Sequence, residues 1–265
     1  MAIPLLQNMD PKTQRMLRRI GWVVLFLGVL VIYISAVEQK GGSAVKDIIV
    51  NIEPLPDGNS LLADADVRGA IERAFDQPLE GQSLSDIDIE RLEQVLEAEP
   101  FILDAEAYVT AGNHIVIDIN PREPILRVID NNGYNYYLDR DGIQMPLSEH
   151  FTAKVLVATG SLPTYNETFL ERKRNRLKDA FLLAQLILSD PFLAPLSEQI
   201  YFDSRGKITL VPKIGSDRIE FGSFEDARSK LRRIKIFYKE VLPYTGWRTY
   251  DEISVAYDDQ VVGRK

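Results

Sequence analysis

The stretch Asn120–Leu147, NPREPILRVIDNNGYNYYLDRDGIQMPL, decides how the rest of the chain is read. Ile125 to Ile129 is a short apolar run bounded by Pro124 and by the Asn131–Gly133 cluster, which predicts a strand ending in a tight turn. Tyr134 to Leu138 makes the returning strand, and Asp139 to Gly142 makes a second turn. Shortly afterwards Val155 to Val157 predicts a short buried strand. The stretch thus opens a β-rich unit and separates it from what lies upstream.

Upstream, Ile48, Ile49, Val50 and Ile52 form a β-branched strand that ends at Pro54 and Pro56. Val67, Ala70, Ile71, Ala74 and Phe75 recur at helical spacing, one apolar stripe that Asp64 or Asp66 can cap. Pro78 and Gly81 break the pattern. A second helix is predicted from near Ser85 or Asp86, with Ile89, Leu92, Val95 and Leu96 on one face and Pro100 as its stop. Then Leu103, Ala105, Ala107 and Val109 alternate with Asp104, Glu106 and Tyr108. After a turn at Gly112 and Asn113, Ile115, Ile117 and Ile119 alternate with His114, Val116 and Asp118. The order is β, α, α, β, β within about 75 residues.

Downstream, a helix is expected over Asn166–Ser189, with Leu170, Leu177, Phe181, Ala184 and Leu188 inward. Its basic cluster Arg172, Lys173, Arg174 and Arg176 is read as a mostly outward, solvated face balanced by Glu171 and Asp179. Gln199–Phe202 and Lys207–Val211 flank the Ser204–Gly206 turn as a hairpin, and Asp217–Phe221 adds a strand. Ser223 is the expected cap of a helix carrying Ala227, Leu231, Ile234, Phe237 or Tyr238, and Val241 on its core stripe. The closing text, TYDEISVAYDDQVVGRK, reads as a final strand Ile253–Tyr257, a turn at Asp258 and Asp259, and a short extended tail through Val261 and Val262.

Near the start, Ile20 to Val37 is apolar, with no charged residue across 18 positions. As a helix it is roughly 27 Å long, close to the roughly 30 Å hydrocarbon core of a bilayer, so it can span a membrane once. Lys12, Arg15, Arg18 and Arg19 precede it against Asp10 alone, which predicts a cytoplasmic N-terminus; Trp22 and Tyr33 suit the two interfaces. A cleaved signal peptide is the competing reading. Its apolar core is normally about 7 to 15 residues and ends in a small-x-small site, whereas this run is longer and Ile34 spoils the site ending at Ala36. After it GGSAV, Gly41–Val45, reads as a short flexible spacer.

The 265 residues carry a formal net charge of -8, which argues against nucleic acid as a partner. There are no cysteines, which excludes disulfides, thiolate metal sites and cysteine nucleophiles. About 225 residues follow the apolar run, enough for two smaller domains.

Catalytic chemistry has few candidates. His114 alternates with isoleucines in a strand and His150 lies in a loop, so a zinc site or a histidine triad lacks its other members. Asp139, Asp141 and Gly142 form part of a calcium-loop pattern, but Gln144 and His150 occupy the positions where an EF-hand needs glycine and glutamate. Asp258 with Asp259, or Glu97 with Glu99, are the paired carboxylates a glycosidase reading would need. No GxSxG, P-loop or GxGxxG occurs.

The β, α, α, β, β order after a single apolar run resembles a POTRA domain, and Asn120–Leu147 resembles the FtsQ/DivIB family of bacterial cell division proteins. There an arginine and proline pair ends the POTRA domain, a hairpin follows, and a Tyr-Leu-Asp-x-Asp-Gly turn leads onward. Arg122, Pro124, Tyr137, Leu138, Asp139, Asp141 and Gly142 occupy those places. The resemblance implies an α+β fold: a cytoplasmic tail 1–19, a transmembrane helix 20–37, a linker 38–46, a POTRA-like domain 47–121, a mixed β domain 122–262 with two flanking helices, and a tail 263–265. It implies a non-enzymatic divisome scaffold without cofactor or metal, a single-pass protein of the inner (plasma) membrane enriched at the septum. The β domain would bind FtsB/FtsL-like bitopic proteins along its last strand, and the POTRA domain and membrane helix would meet other division proteins. The implied partner surface is Ser254, Val255, Ala256, Tyr257, Asp258, Asp259, Val261 and Val262. Two positions depart from the family pattern: Ala256 stands where arginine is common, and Arg264 where an aromatic residue can follow. A membrane-anchored peptidoglycan enzyme and a POTRA-containing assembly or secretion module are the alternatives.

Overall fold

The computed structural model describes residues 20–31, 43–75, 77–257 and 259–265. Residues 20–31 are helical and exposed throughout, and 32–37 of the expected span lie outside the described residues. Among the described residues no helix is long and apolar enough to cross a membrane.

The first folded unit is β1 (Asp47–Ile52), α1 (Asp64–Ala74), α2 (Ile89–Glu97), β2 (Ile102–Val109) and β3 (His114–Pro121). Its sheet has the order β1-β3-β2, with β1 parallel and β2 antiparallel to β3. The alternation seen in the sequence sorts its faces: Ala105, Ala107, Ile115, Ile117 and Ile119 pack under the helices with Val67, Ile71, Leu92 and Leu96. The helix starts differ from those expected. In α1 the cap position is Ala63, which has no side-chain acceptor, and Asp66 reaches back to accept the Ala63 amide at 2.7 Å. In α2 the cap is Asp88, whose carboxylate accepts the Arg91 amide at 3.0 Å; Leu84–Asp86 is a separate 3-10 turn.

The second unit is one nine-stranded mixed sheet. It contains β4 (Pro124–Ile129), β5 (Asn135–Asp139), β6 (Gln144–Met145), β7 (Leu156–Gly160), β8 (Ser197–Phe202), β9 (Ile208–Pro212), β10 (Arg218–Gly222), β11 (Glu252–Ser254) and β12 (Val262–Arg264). Their spatial order is β12-β11-β10-β9-β8-β7-β4-β5-β6. Helices α3 (Arg176–Leu188), the short α4 (Leu193–Leu196) and α5 (Ala227–Ile236), which continues through a π turn into α6 (Leu242–Thr245), supply the rest of its core.

Helix α3 begins ten residues later than its sequence suggests. Asn175 caps it, accepting the Leu177 amide at 2.8 Å, while Asn166 folds the preceding segment into a turn by accepting the Thr168 amide at 3.0 Å. Local side-chain acceptors thus outcompete helix propagation. Phe169 is buried all the same, edge-on to Phe181. Arg172, Lys173 and Arg174 are exposed ahead of the helix, and Arg176 turns inward to Ser161 Oγ at 2.6 Å and Ser204 O at 3.0 Å. Helix α5 also departs from expectation: the residue before it is Asp226 in a left-handed conformation, and Ser223 contributes its carbonyl to Lys230 Nζ at 2.8 Å.

The two units share a third core. Leu55 and Leu61 of the first pack with Tyr137, Met145 and Ala153 of the second, flanked by Phe101, Phe151 and Val155. Polar contacts surround it: Ser148 Oγ donates to Leu61 O at 2.5 Å, the Arg122 amide donates to Phe101 O at 2.9 Å, and His150 Nε2 lies 2.7 Å from Asp66 Oδ2.

A candidate partner-binding edge on the large sheet

The sequence-derived partner surface falls at the β12 side of the large sheet. The α5-to-α6 segment crosses over between β10 and β11, so these two strands run parallel, and β12 returns antiparallel to β11. The pairing registers set Arg218, Glu252 and Arg264 side by side on three strands. The Glu252 carboxylate meets both guanidiniums, Arg218 at 2.8 Å and Arg264 at 2.6 Å. Backbone bonds extend the ladder at both ends, from the Asp251 amide to Arg264 O at 2.9 Å and from the Val255 amide to Glu220 O at 3.0 Å.

The tail is therefore a strand rather than a loose extension: Gly263 and Arg264, expected beyond the domain, belong to β12. A Cβ on Gly263 would stand 2.6 Å from Tyr250 Cε1, so only glycine lets the strand lie against that ring. Tyr250 in turn packs edge-on against Phe237, with ring centroids 5.7 Å apart. Val261 packs on the main core beside them.

The eight residues named from the sequence take different positions. Ser254 and Val255 are fully buried and offer no side chain to a partner. Ala256 is half-buried beside Gly222, whose φ of +79° places its missing Cβ position 3.0 Å from Ala256 Cβ. Tyr257 is 48% exposed, Asp259 is fully exposed, and Val261 and Val262 are half-buried. Asp258 lies outside the described residues. The structure adds Arg233 of α5, which donates to Val255 O at 3.0 Å and points a second nitrogen toward Asp259 at 3.9 Å. It places a guanidinium beside Ala256, a link that no short-range sequence signal carries. On the outer side of β12, among the described residues, no strand pairs with the backbone.

Other cavities carry less chemistry. A groove of ≈ 800 Å³ over β4, β7 and the end of α3 has mixed charge, with Arg127, Lys154 and Lys213 set against Glu123 and Glu198. Glu123 also accepts from Arg140, which raises the Arg140 pKa further. Neither carboxylate pair of the glycosidase reading lines that groove: Glu99 is ion-paired with Arg73, and Asp259 stands in solvent. Among the described residues no group of three or more histidine, aspartate or glutamate side chains is placed to hold a metal.

Arg122 and Asp139 sit where the two units join. Asp139 is buried, accepts the Asp141 and Ile143 amides at 2.9 and 2.8 Å through one oxygen, and takes the Arg122 guanidinium at 2.9 Å on the other. Gly142 closes that turn at a φ of +83°. Tyr137 accepts the buried Ala153 amide at 3.1 Å. The Arg, Tyr, Asp and Gly of the junction motif thus each have a structural task in holding the hairpin and the domain contact.

Residues 123–264 match the family model described as FtsQ/DivIB, C-terminal related, and residues 45–120 match a POTRA-like domain. No curated protein sequence matches the chain. The first match alone takes in more than half of the 265 residues and contains the whole nine-stranded sheet. On that match, with a POTRA-like domain directly before it, the chain belongs to the FtsQ/DivIB family.

Proposed function

We propose that the protein is a non-enzymatic scaffold of the divisome, held in the plasma membrane by residues 20–37 with 1–19 in the cytoplasm and the folded units outside it, and concentrated at the septum. Membership of the FtsQ/DivIB family assigns it a cell-division role. The anchor rests on the sequence: 18 apolar positions preceded by four cations, of which 20–31 are helical in the structure.

The observation that carries the partner reading is the open backbone edge of β12, flanked by Tyr257. An extended segment of an FtsB/FtsL-like bitopic protein would add to that edge, gaining affinity from main-chain hydrogen bonds and specificity from Tyr257, Asp259, Val262 and Arg264. The POTRA-like unit would meet other division proteins. Depletion in the source organism tests the role: filaments with unfinished septa are expected, and normal division would sink it. For the surface, Tyr257→Ala in the full chain should weaken capture of the FtsB-like partner; unchanged capture would remove Tyr257 from the interface.

A further inference from the structure

The groove over β4, β7 and the end of α3 is unevenly charged once its internal pair is set aside. Arg140 and Glu123 hold each other at 2.7 Å. That leaves Arg127, Lys154 and Lys213 against Glu198 alone, three cations to one carboxylate on a chain whose net charge is -8. Asp57, on the adjoining rim, is held first by Asn59 and feels Lys154 only as its last influence.

Arg127 is fixed in place. Its Nε donates to Asn135 Oδ1 at 3.0 Å and its guanidinium lies 6.0 Å from the centre of the Tyr137 ring, while among the described residues nothing takes its two terminal nitrogens. Lys154 and Lys213 are exposed, and their side chains have no hydrogen-bond or ion-pair partner among the described residues. An apolar wall stands beside these charges: Val155 and Val157 are half-buried, and Leu188, expected to face inward, is 39% exposed. The last turn of α3 does not oppose the cations with open carbonyls, since Gln185 O, Leu186 O and Ile187 O are taken by the Ser189 amide, Ser189 Oγ and the Asp190 amide.

The pairing registers set the spacing. Val157 lies beside Arg127 on β4 and beside Gln199 on β8, and Ser197 pairs with Pro212 on β9. Lys154 and Lys213 are thus level with one another two strands apart, and Arg127 lies one strand beyond Lys154 and three residues farther along. With strands about 4.8 Å apart and about 3.3 Å per residue, the three backbone positions stand roughly 10 to 17 Å from one another.

We propose that this groove binds an extended acidic segment of a partner protein, one with carboxylates four residues apart on either side of an apolar side chain. One small anion cannot reach cations set so far apart. Residues i and i+4 of an extended chain are about 13 Å apart and point, with i+2, to the same side. The central side chain then covers Val155, Val157 and Leu188 and removes their exposed surface from water. Arg127, already aligned, offers its free nitrogens to one carboxylate as a planar fork. A basic segment meets the excess of cations instead. The site is separate from the β12 edge and independent of the division reading.

The test titrates the full chain, methyl-labelled at valine and leucine and held in zwitterionic detergent micelles, with three capped pentapeptides: Glu-Ser-Leu-Ser-Glu, Lys-Ser-Leu-Ser-Lys and Glu-Ser-Ser-Ser-Glu. In NMR spectra the first should shift the Val155, Val157 and Leu188 methyl signals, the second should leave them in place, and the third should bind more weakly than the first. Lys154→Gln and Lys213→Gln should each weaken the first peptide roughly two- to five-fold, the worth of an exposed ion pair, and Glu198→Gln should tighten it by a similar factor. Lys207→Gln, at the β8–β9 turn outside the groove, should leave the affinity unchanged. Equal response to the lysine peptide, shifts that spare Val155, Val157 and Leu188, affinities that ignore Lys154, Lys213 and Glu198, or a groove filled by self-association of the chain would each overturn the proposal.

Discussion

Arg264 faces Glu252 directly across the β11–β12 pair, with their charged atoms 2.6 Å apart, and Arg218 holds the same carboxylate from the other side at 2.8 Å. One acid thus ties three strands together at the sheet edge. The position where an aromatic residue is expected in this family is used here for an ion pair within the fold. Both guanidiniums are more than half exposed, so solvent screening limits each pair to about 0.5–1 kcal/mol. Glu252→Gln should loosen β12 and speed exchange of the Asp251 amide, which bonds to Arg264 O, by roughly three- to ten-fold. Raising the salt toward 1 M should shrink the difference between native and variant. An exchange rate that ignores the substitution would show that β12 is held by packing alone.

Gly263 supplies that packing. Its missing Cβ lets Tyr250 lie against the strand, and Tyr250 transmits the contact to Phe237. Gly263→Ala should cost about 1–3 kcal/mol, the usual penalty of an added carbon in a filled site. In a double-mutant cycle, Tyr250→Ala should remove most of that penalty, because the ring is what the methyl group meets. Strictly additive losses in urea unfolding would place the strain elsewhere.

These edge contacts explain what was legible beforehand. Alternation and turn residues placed β2, β3, β4 and β5 close to where they lie, because each strand buries one face and ends at a local breaker. Helix starts were harder: Asp88 and Asn175 displaced the expected caps, and sequence offered several eligible side chains in each neighbourhood. The final hairpin was half visible. The turn at Asp258 and Asp259 is legible, but Val261 and Val262 read only as an extended tail, because the anchoring of the hairpin by Tyr250, Arg233 and Arg218 joins residues distant in sequence. The groove cations are of the same kind: Arg127, Lys154 and Lys213 come from separate segments, and no local pattern joins them.

At the domain junction, Arg122→Ala would strand a buried carboxylate. Asp139 is only 4% exposed and keeps two backbone amides, so the loss should be about 2–4 kcal/mol, toward the low side for breaking a buried pair. Asp139→Asn in the same chain should recover part of the loss, since the remaining amide oxygen still accepts from Asp141 or Ile143. Thermal unfolding of the two variants and the double variant measures this. No recovery would mean that the Arg122 side chain stabilises by its packing at the junction and not by its charge on Asp139.

A pH test isolates the corner between α3, α4 and α5. Asp190 takes Lys235 Nζ at 2.7 Å on one oxygen and the Phe192 and Leu193 amides on the other, at 2.9 and 3.3 Å. The lysine first, and then the backbone amides, hold its carboxyl below the usual aspartate range. A carboxylate whose folded pKa lies below its unfolded value of about 3.9 contributes stability that is present above that value and is lost as pH falls through the folded one. Asp190→Asn keeps an acceptor for the two amides but cannot hold the ammonium as an ion pair. The variant should therefore be less stable than the native chain at neutral pH, with a gap that narrows below about pH 4 and closes in stronger acid. Denaturant unfolding at successive pH values reads the gap directly. A gap of constant size down to pH 2 would show that the Lys235 contact stabilises by packing of the lysine stem, and not by charge.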